Sequence, residues 1–332
     1  MGRRLVELLA DDDSVERVVA VDRRSPPSGR IGAHPRVVSL RLDVMVDDVA
    51  PALEGVDSVV HLVDDPAQQA DHRPAATALD RVLRAATSAG CGHAVLLSSA
   101  LVYGARPDNP VPLTEAHPMR PVPELDHAVI KAELEEQARA WAAETGAGLA
   151  VLRPAATLSE GDSSWIGAAL RAATTVRAEQ VDPPVQFLHH DDLAAATALA
   201  ATRPLNGIYN VAPDNWIGNE VFRRLRGEAD VRMPQRLSEW RLKVVKSLAD
   251  RSLLEGLEPY VTWPWVVAND KLRAEGWKAA YGNEEAYVAG TPPPLLGSIN
   301  PQRRQELALM LAGAAGAVLV GGAAWALRRT VR

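Results

Sequence analysis

The sequence predicts an α/β fold: a doubly wound parallel sheet, a smaller lobe toward the C-terminus, and a single apolar helix at the tail. Three observations lead there. Through about residue 156, short apolar runs alternate with amphipathic stretches, the pattern of parallel strands covered by helices on both faces. From 157 to 290 the alternation loosens into a mixed region. After a Pro/Gly-rich stretch, residues 306–327 carry no charge beyond Glu306. With 332 residues, 47% hydrophobic and 23% charged, the chain has ample material for a buried core and none of the bias of a disordered one.

Residues 4–10 read as a helix, and "RVVAVD", 17–22, as a buried strand that ends in an acid. "RVVSLRLDV", 36–44, and "VDSVVHLV", 56–63, are the next strands. "ATALDRVLRAATSAG", 76–90, is an amphipathic helix stopped by Gly90, and "HAVLLSS", 93–99, is a strand. A Pro-rich loop, 105–123, leads to a helix over about 124–144, then to the strand "GLAVLRPA", 148–155. A helix near 164–178 follows, then "VQFLHHDDLAAATALAA" as strand into helix, and "GIYNVA" as a strand. Further helices are expected near 217–226, 236–249 and 269–275.

A net charge of -6 argues against a nucleic-acid surface, which needs a basic face. The single cysteine, Cys91, excludes an internal disulfide and a multi-cysteine metal site; it reads as a small packing residue. "MGRRLVELL" holds no apolar run of signal-peptide length. Residues 306–327, flanked by Arg303, Arg304, Arg328, Arg329 and Arg332 and carrying Trp325 near one end, are long enough to cross a bilayer. The alternative is a buried helix or an Ala/Gly-rich tail too weakly apolar to insert. Gly313, Ala317 and Gly321 form a small-residue stripe through which two such helices would meet, a weak pointer to a homodimer.

"LLSSALVYG", 96–104, followed by "HAVIK", 127–131, resembles the extended short-chain dehydrogenase/reductase family, in particular its NAD-dependent epimerase/dehydratase branch. "VVHLV" at 59–63, "LRPAA" at 152–156, "QFLHHDDLA" at 186–194, "GIYNVA" at 207–212 and "ANDKLRAEGWKAAY" at 268–281 echo that family in the expected order. The resemblance implies a Rossmann-like NAD(P)-binding domain over 1–156 and a substrate lobe over 157–290 interleaved with the last sheet strands. A linker, 291–305, and the transmembrane helix, 306–327, would complete the chain. It further implies an active-site helix on which a Tyr and a Lys four residues apart face the cofactor. The Lys holds the nicotinamide ribose and lowers the tyrosine pKa, and a Ser at a neighbouring strand end bonds the substrate oxygen. Here Lys131 takes the lysine position, Ser99 the serine position, and His127 stands where the tyrosine is expected.

Imidazole suits proton transfer near neutral pH, but it is shorter than a phenol, and a nearby ammonium disfavours its protonated form. The alternative is a polar residue on the first turn of a helix in a protein that has lost the reaction. Tyr103 is another candidate acid, more often a packing residue in this motif.

The resemblance also implies a glycine-rich turn after a first strand, taking the cofactor pyrophosphate at a helix N-terminus. "MGRRLVELL" matches only the end of that turn, with Gly2 at its last glycine; the strand and the earlier glycines are lacking. In a 3-2-1-4-5-6 order that strand is central, and its loss leaves two strand edges unpaired. The expectation is that the natural product begins upstream of Met1; the alternative is a shortened protein that binds no dinucleotide. Asp22 sits where an acid accepts from the adenosine ribose, which favours NAD, whereas Arg23 and Arg24 would meet the 2′-phosphate of NADP. Otherwise Asp22 is a strand-terminating turn residue. By resemblance Asp43 and Val44 flank the adenine, and His61, Leu62, Val63 and Pro154 line the cofactor wall.

"HHDD", 189–192, invites a metal reading, but adjacent residues do not converge on one ion, and Asp191 or Asp192 as a helix N-cap is the expected role; no metal site is expected. Trp216, Trp240, Trp263 and Trp265 suit either stacking on a sugar or base or packing in the lobe. The sequence therefore predicts an NAD(P)-dependent epimerase, dehydratase or reductase acting on a nucleotide sugar or a related carbinol, tethered to a membrane and facing the cytoplasm. The alternative is a catalytically inactive, membrane-tethered NAD(P) sensor or scaffold, which His127 favours.

Overall fold

The computed structural model describes residues 1–24, 34–62, 73–160, 165–174, 183–225 and 251–291. Val63, Trp240, the helix expected over 236–249 and the apolar tail 306–327 lie outside these residues. Among the described residues no helix is long and apolar enough to cross a membrane.

Four strands, β3 (Ser58–His61), β4 (His93–Leu97), β5 (Gly148–Pro154) and β8 (Gly207–Val211), form a parallel sheet in the order β3-β4-β5-β8. Their register runs from Ser58 beside His93 to Pro154 beside Val211. β4 and β5 are buried almost throughout, as continuous apolar runs between two helical layers must be. On one side, helix α2 (Arg73–Ser88) sets Leu79 and Leu83 against Leu134 and Ala138 of α3 (Asp126–Thr145), over Leu96 and Val151 of the sheet. Helix α5 (His190–Thr202) contributes Ala196 and Ala200 to the main core cluster, alanines that let a helix lie close to a sheet.

β1 (Val18–Asp22) and β2 (Val37–Arg41) pair in parallel as a separate two-stranded sheet, Val18 beside Val37 and Asp22 beside Arg41. No described strand joins β1 to β3, so the parallel order is interrupted between them. The consequence shows in burial: Val19, Ala20 and Val21 are only half-buried, although their composition is that of an interior strand. Helix α1 (Gly2–Asp11) packs on β1 and on α5.

Within the described residues the predicted elements are present, several with shifted ends. The strand expected over 36–44 stops at Arg41, because Asp43 accepts from the Met45 N–H at 2.9 Å and opens a turn. The strand expected over 148–155 ends at Pro154, and the chain re-forms as β6 (Ala156–Leu158), which pairs in parallel with β7 (Phe187–His189). Two helices, Arg251–Thr262 and Asn283–Ala289, go beyond the elements that the sequence predicts. Pro259 and Gly256 weigh against a helix in the first, yet Gly256 is what lets it lie beside the segment leading into α3: a Cβ there would press on the Glu124 carbonyl.

Met1–Gly290 is one compact unit, and its largest hydrophobic cluster draws Val95 and Leu152 together with Phe187, Trp277 and Tyr287. The two halves expected to be a cofactor domain and a lobe thus share a core, as the interleaving of β8 requires. Thr291–Arg332 is a second unit, described only at Thr291.

Candidate active site

Helix α3 starts at Asp126, whose carboxylate suits the positive helix end, and stops at Gly146, in the left-handed region at φ 73, where its N–H returns to Ala142. His127, Lys131 and Glu135 recur every fourth residue and therefore share one face, and all three are buried. Lys131 Nζ donates to the carbonyl of Leu97, the last residue of β4, at 3.1 Å. One turn on, Glu135, which is 0% exposed, accepts from Ser98 Oγ at 2.5 Å and from both Nε and Nη2 of Arg153, at 2.9 and 2.6 Å. The helix is thereby held to the carboxyl ends of β4 and β5 by paired buried charges.

Ser99 follows β4 and caps the short 3-10 turn Ala100–Tyr103, its oxygen accepting from the Leu101 N–H at 3.2 Å. Gly104 ends that turn at φ 69; a Cβ there would collide with the Arg120 carbonyl. Ser99, His127 and Lys131 meet in one cleft of about 680 Å³, partly open to solvent, whose wall also includes Gly2, Leu62 and Pro154. Six of the predicted site residues, from elements far apart in the chain, therefore converge at the carboxyl edge of the parallel sheet, where ligands of such folds gather.

Of the others, Val63 lies outside the described residues and the remaining five lie off the cleft. Asp22 and Arg23 end β1 beside the end of β2; Asp22 Oδ1 accepts from the Arg24 N–H at 2.8 Å, and the Arg23 carbonyl accepts from Arg41 Nε at 3.2 Å. Asp43 holds its own turn, and the Val44 carbonyl accepts from Arg81 Nε at 2.6 Å. None of these four lines the cleft. His61, at the end of β3, is buried and also off the cleft; burial first, and then the Lys131 charge, pull its pKa down to about 4, so it is neutral near pH 7.

Tyr103 is a packing residue. Its hydroxyl donates to Asn210 Oδ1 at 2.8 Å, Arg153 Cζ lies 4.7 Å from its ring centre, and burial pushes its pKa up to about 12. "HHDD" is also rearranged relative to expectation: His189, not an aspartate, caps α5 by accepting from the Asp191 N–H at 3.2 Å. Asp192 instead clamps the 280–281 backbone, accepting from Ala280 at 2.7 Å and Tyr281 at 3.0 Å, while burial raises its pKa. His190 lines the cleft and shares a hydrogen bond with Ser159 Oγ at 3.3 Å. The sequence read this segment as a helix cap rather than a metal site; its place at a strand-to-helix junction was the available signal for the cleft. Trp265 packs edge-on to Tyr260, and neither it, Trp216 nor Trp263 lines the cleft. Cys91 is buried, as a packing residue, with its thiol pKa raised by burial. Among the described residues, no group of three or more His, Cys, Asp or Glu is placed to share a metal ion.

No curated protein matches the chain. Solved structures with the same fold include the UDP-glucose 4-epimerase of Thermus thermophilus in complex with NAD, 20% identical over 86% of this chain and 93% of that one, TM-score 0.61. A double mutant of the Streptomyces venezuelae dTDP-glucose 4,6-dehydratase DesIV, with NAD and DAU bound, is 19% identical over 87% and 91%, TM-score 0.62. The UDP-N-acetylglucosamine 4-epimerase of Methanobrevibacter ruminantium, in complex with UDP-N-acetylmuramic acid, is 19% identical over 86% and 92%, TM-score 0.60. The model of the NAD dependent epimerase/dehydratase family matches residues 1–212, about two-thirds of the sequence, and the chain belongs to that family.

Proposed function

We propose that the protein performs NAD-dependent redox chemistry at a carbinol carbon, as an epimerase, dehydratase or reductase of a nucleotide sugar or related molecule. The observation that carries this reading is the convergence of Ser99, His127 and Lys131 in one cleft with the start of α1. The chain's groups fit a dinucleotide. α1 begins at the cleft with no side-chain cap and no acid in its first turn, leaving its first amides for an anionic diphosphate. Asp22 at the end of β1 suits the adenosine ribose of NAD, while Arg23 beside it would meet the extra phosphate of NADP.

Bound NAD supplies the acceptor for the substrate's hydride; the side chains manage position and proton. Lys131 commits one N–H to Leu97 and has two more for the ribose hydroxyls. Ser99 accepts from Leu101, and its O–H can serve as a donor to the reacting oxygen. His127, one helical turn before Lys131, takes the carbinol proton in the oxidative direction and returns it in the reductive one. We further assign residues 306–327 as a membrane anchor that leaves residues 1–290 on the cytoplasmic side, with a homodimer through the small-residue stripe.

NADH fluorescence titration of the full chain, followed by hydride exchange assays with UDP-glucose and other nucleotide sugars, tests the reading. His127→Ala is expected to lower turnover about a hundredfold or more, with the NADH affinity kept within a factor of about two. NADH binding with no exchange on any of these substrates, unaltered by His127→Tyr, would identify a tethered sensor instead.

A further inference from the structure

Two helices begin at the cleft, and the first side chain of one of them is an imidazole. Val95 and Leu152 belong to the core cluster of α5, whereas Leu96 and Val151 belong to that of α2 and α3, so α5 and α3 cover opposite faces of the sheet. His127 and Lys131 thus reach the cleft from one face, and His190, the first residue of α5, reaches it from the other. On that second face α5 packs on α1, and an ion pair between Arg4 Nε and Asp191 Oδ1, at 3.4 Å, ties their first turns together. Met1 and Gly2 line the same cleft at the start of α1, a helix end with no side-chain cap and no acid in its first turn. An anion on the first amides of α1 would therefore lie on the His190 side of the cleft. His190 is 9% exposed, the most accessible of the six polar side chains described in the wall, and a hydrogen bond needs only one edge atom of its ring. Ser159 Oγ lies 3.3 Å from its Nδ1. A hydroxyl that donates to Nδ1 leaves the ring proton on Nε2 and makes that nitrogen a donor. The cap of α5 comes from His189 and the clamp on the 280–281 backbone from Asp192, so neither role uses the His190 ring.

We infer that His190 is a diphosphate-binding residue: its Nε2–H donates to one phosphate oxygen of a nucleoside diphosphate ester whose other oxygens take the first amides of α1. The inference rests on the dinucleotide reading for naming that ester as NAD, but on the two helix starts and the imidazole alone for the anion. A nucleotide sugar carries the same diphosphate group, so the contact has two sources, which the test separates.

The full chain is titrated calorimetrically with NADH, UDP-glucose and inorganic diphosphate, beside His190→Leu, which removes the donor, and His190→Gln, which restores one; thermal melts are recorded for each. The expected result is NADH and diphosphate bound about tenfold or more weakly by His190→Leu, most of that loss recovered in His190→Gln, and melting midpoints unchanged. A loss confined to UDP-glucose and diphosphate, in a chain that takes no NADH, supports the anion contact, names a substrate as its source and overturns the cofactor reading. All bound probes held equally by the native chain and His190→Leu overturn the inference, and NADH among them leaves the cofactor reading intact. Equal losses in the Leu and Gln variants, with lowered midpoints, also overturn it and mark His190 as a packing residue. Binding of none of the three probes overturns both.

Discussion

His61 and His127 show how burial and position separate two imidazoles that the sequence presents alike. Both are nearly inaccessible, but His127 faces the cleft and His61 does not. His61 holds its proton poorly in the folded state, with a pKa of about 4 against 6.5 in the unfolded chain. The unfolded chain therefore binds the extra proton first as pH falls, and folding is penalised progressively below pH 6.5. By pH 4 the penalty is about 3 kcal/mol, and above pH 6.5 it vanishes. Urea melts at pH 7 and pH 4 should thus show a stability loss smaller by about that amount in His61→Gln than in the native chain. Equal losses would mean that His61 is not held neutral. Lys131→Met should raise the His61 pKa only in part, as an NMR titration would show, because burial is the larger cause. The sequence placed His127 and Lys131 on one face through their spacing alone. It kept Tyr103 as a second candidate acid, more often a packing residue in this motif, and the structure ties the Tyr103 hydroxyl to Asn210, more than a hundred residues away.

At the scale of elements, α3 depends on the Glu135–Arg153 pair, 0% and 1% exposed. Removing one partner strands a charge in the core, and Arg153→Met should destabilise the fold by about 3–5 kcal/mol. Pairing it with Glu135→Leu should restore much of that loss, since a matched apolar pair carries no unpaired charge; denaturant melts of the two variants decide it. If both variants fell equally, the pair would not be what holds α3. The turn after β4 has a different dependence: Gly104→Ala meets both a positive φ and the Arg120 carbonyl, and should lower stability by about 1–3 kcal/mol. Amphipathic periodicity made α2 readable, and runs of helix-favouring residues did the same for α3 and α5. The helix Arg251–Thr262 was hidden because propensity counts Gly256 and Pro259 as breakers, whereas its tertiary seat against α3 calls for the glycine.

At the scale of the whole molecule, Met1–Gly290 carries its own core, and the predicted anchor lies outside it. A fragment ending at Gly290 should melt in one cooperative step and be recovered without detergent, while the full chain sediments with membranes. Recovery of the full chain in the soluble fraction would remove the anchor from the proposal. The break between β1 and β3 sets a second feature at this scale. Strands written for an interior are only half-buried there, and they should show weaker amide-exchange protection than β4 and β5.

While the trio Ser99, His127 and Lys131 came only from the family resemblance, alternating apolar runs and helix spacing were enough, read along the chain, to give the α/β class and nearly every described strand. These are properties of neighbours a few residues apart, which backbone geometry converts directly into strand, helix and face. Only the tertiary structure decided that His190, Leu101, Ile166, Leu170 and Leu193 share a wall with that trio. It likewise decided that Tyr103 and His61 do not, and that β1 and β2 stand apart from the main sheet. Those outcomes depend on which distant surfaces meet when the core closes, and no short-range period in the sequence encodes that meeting.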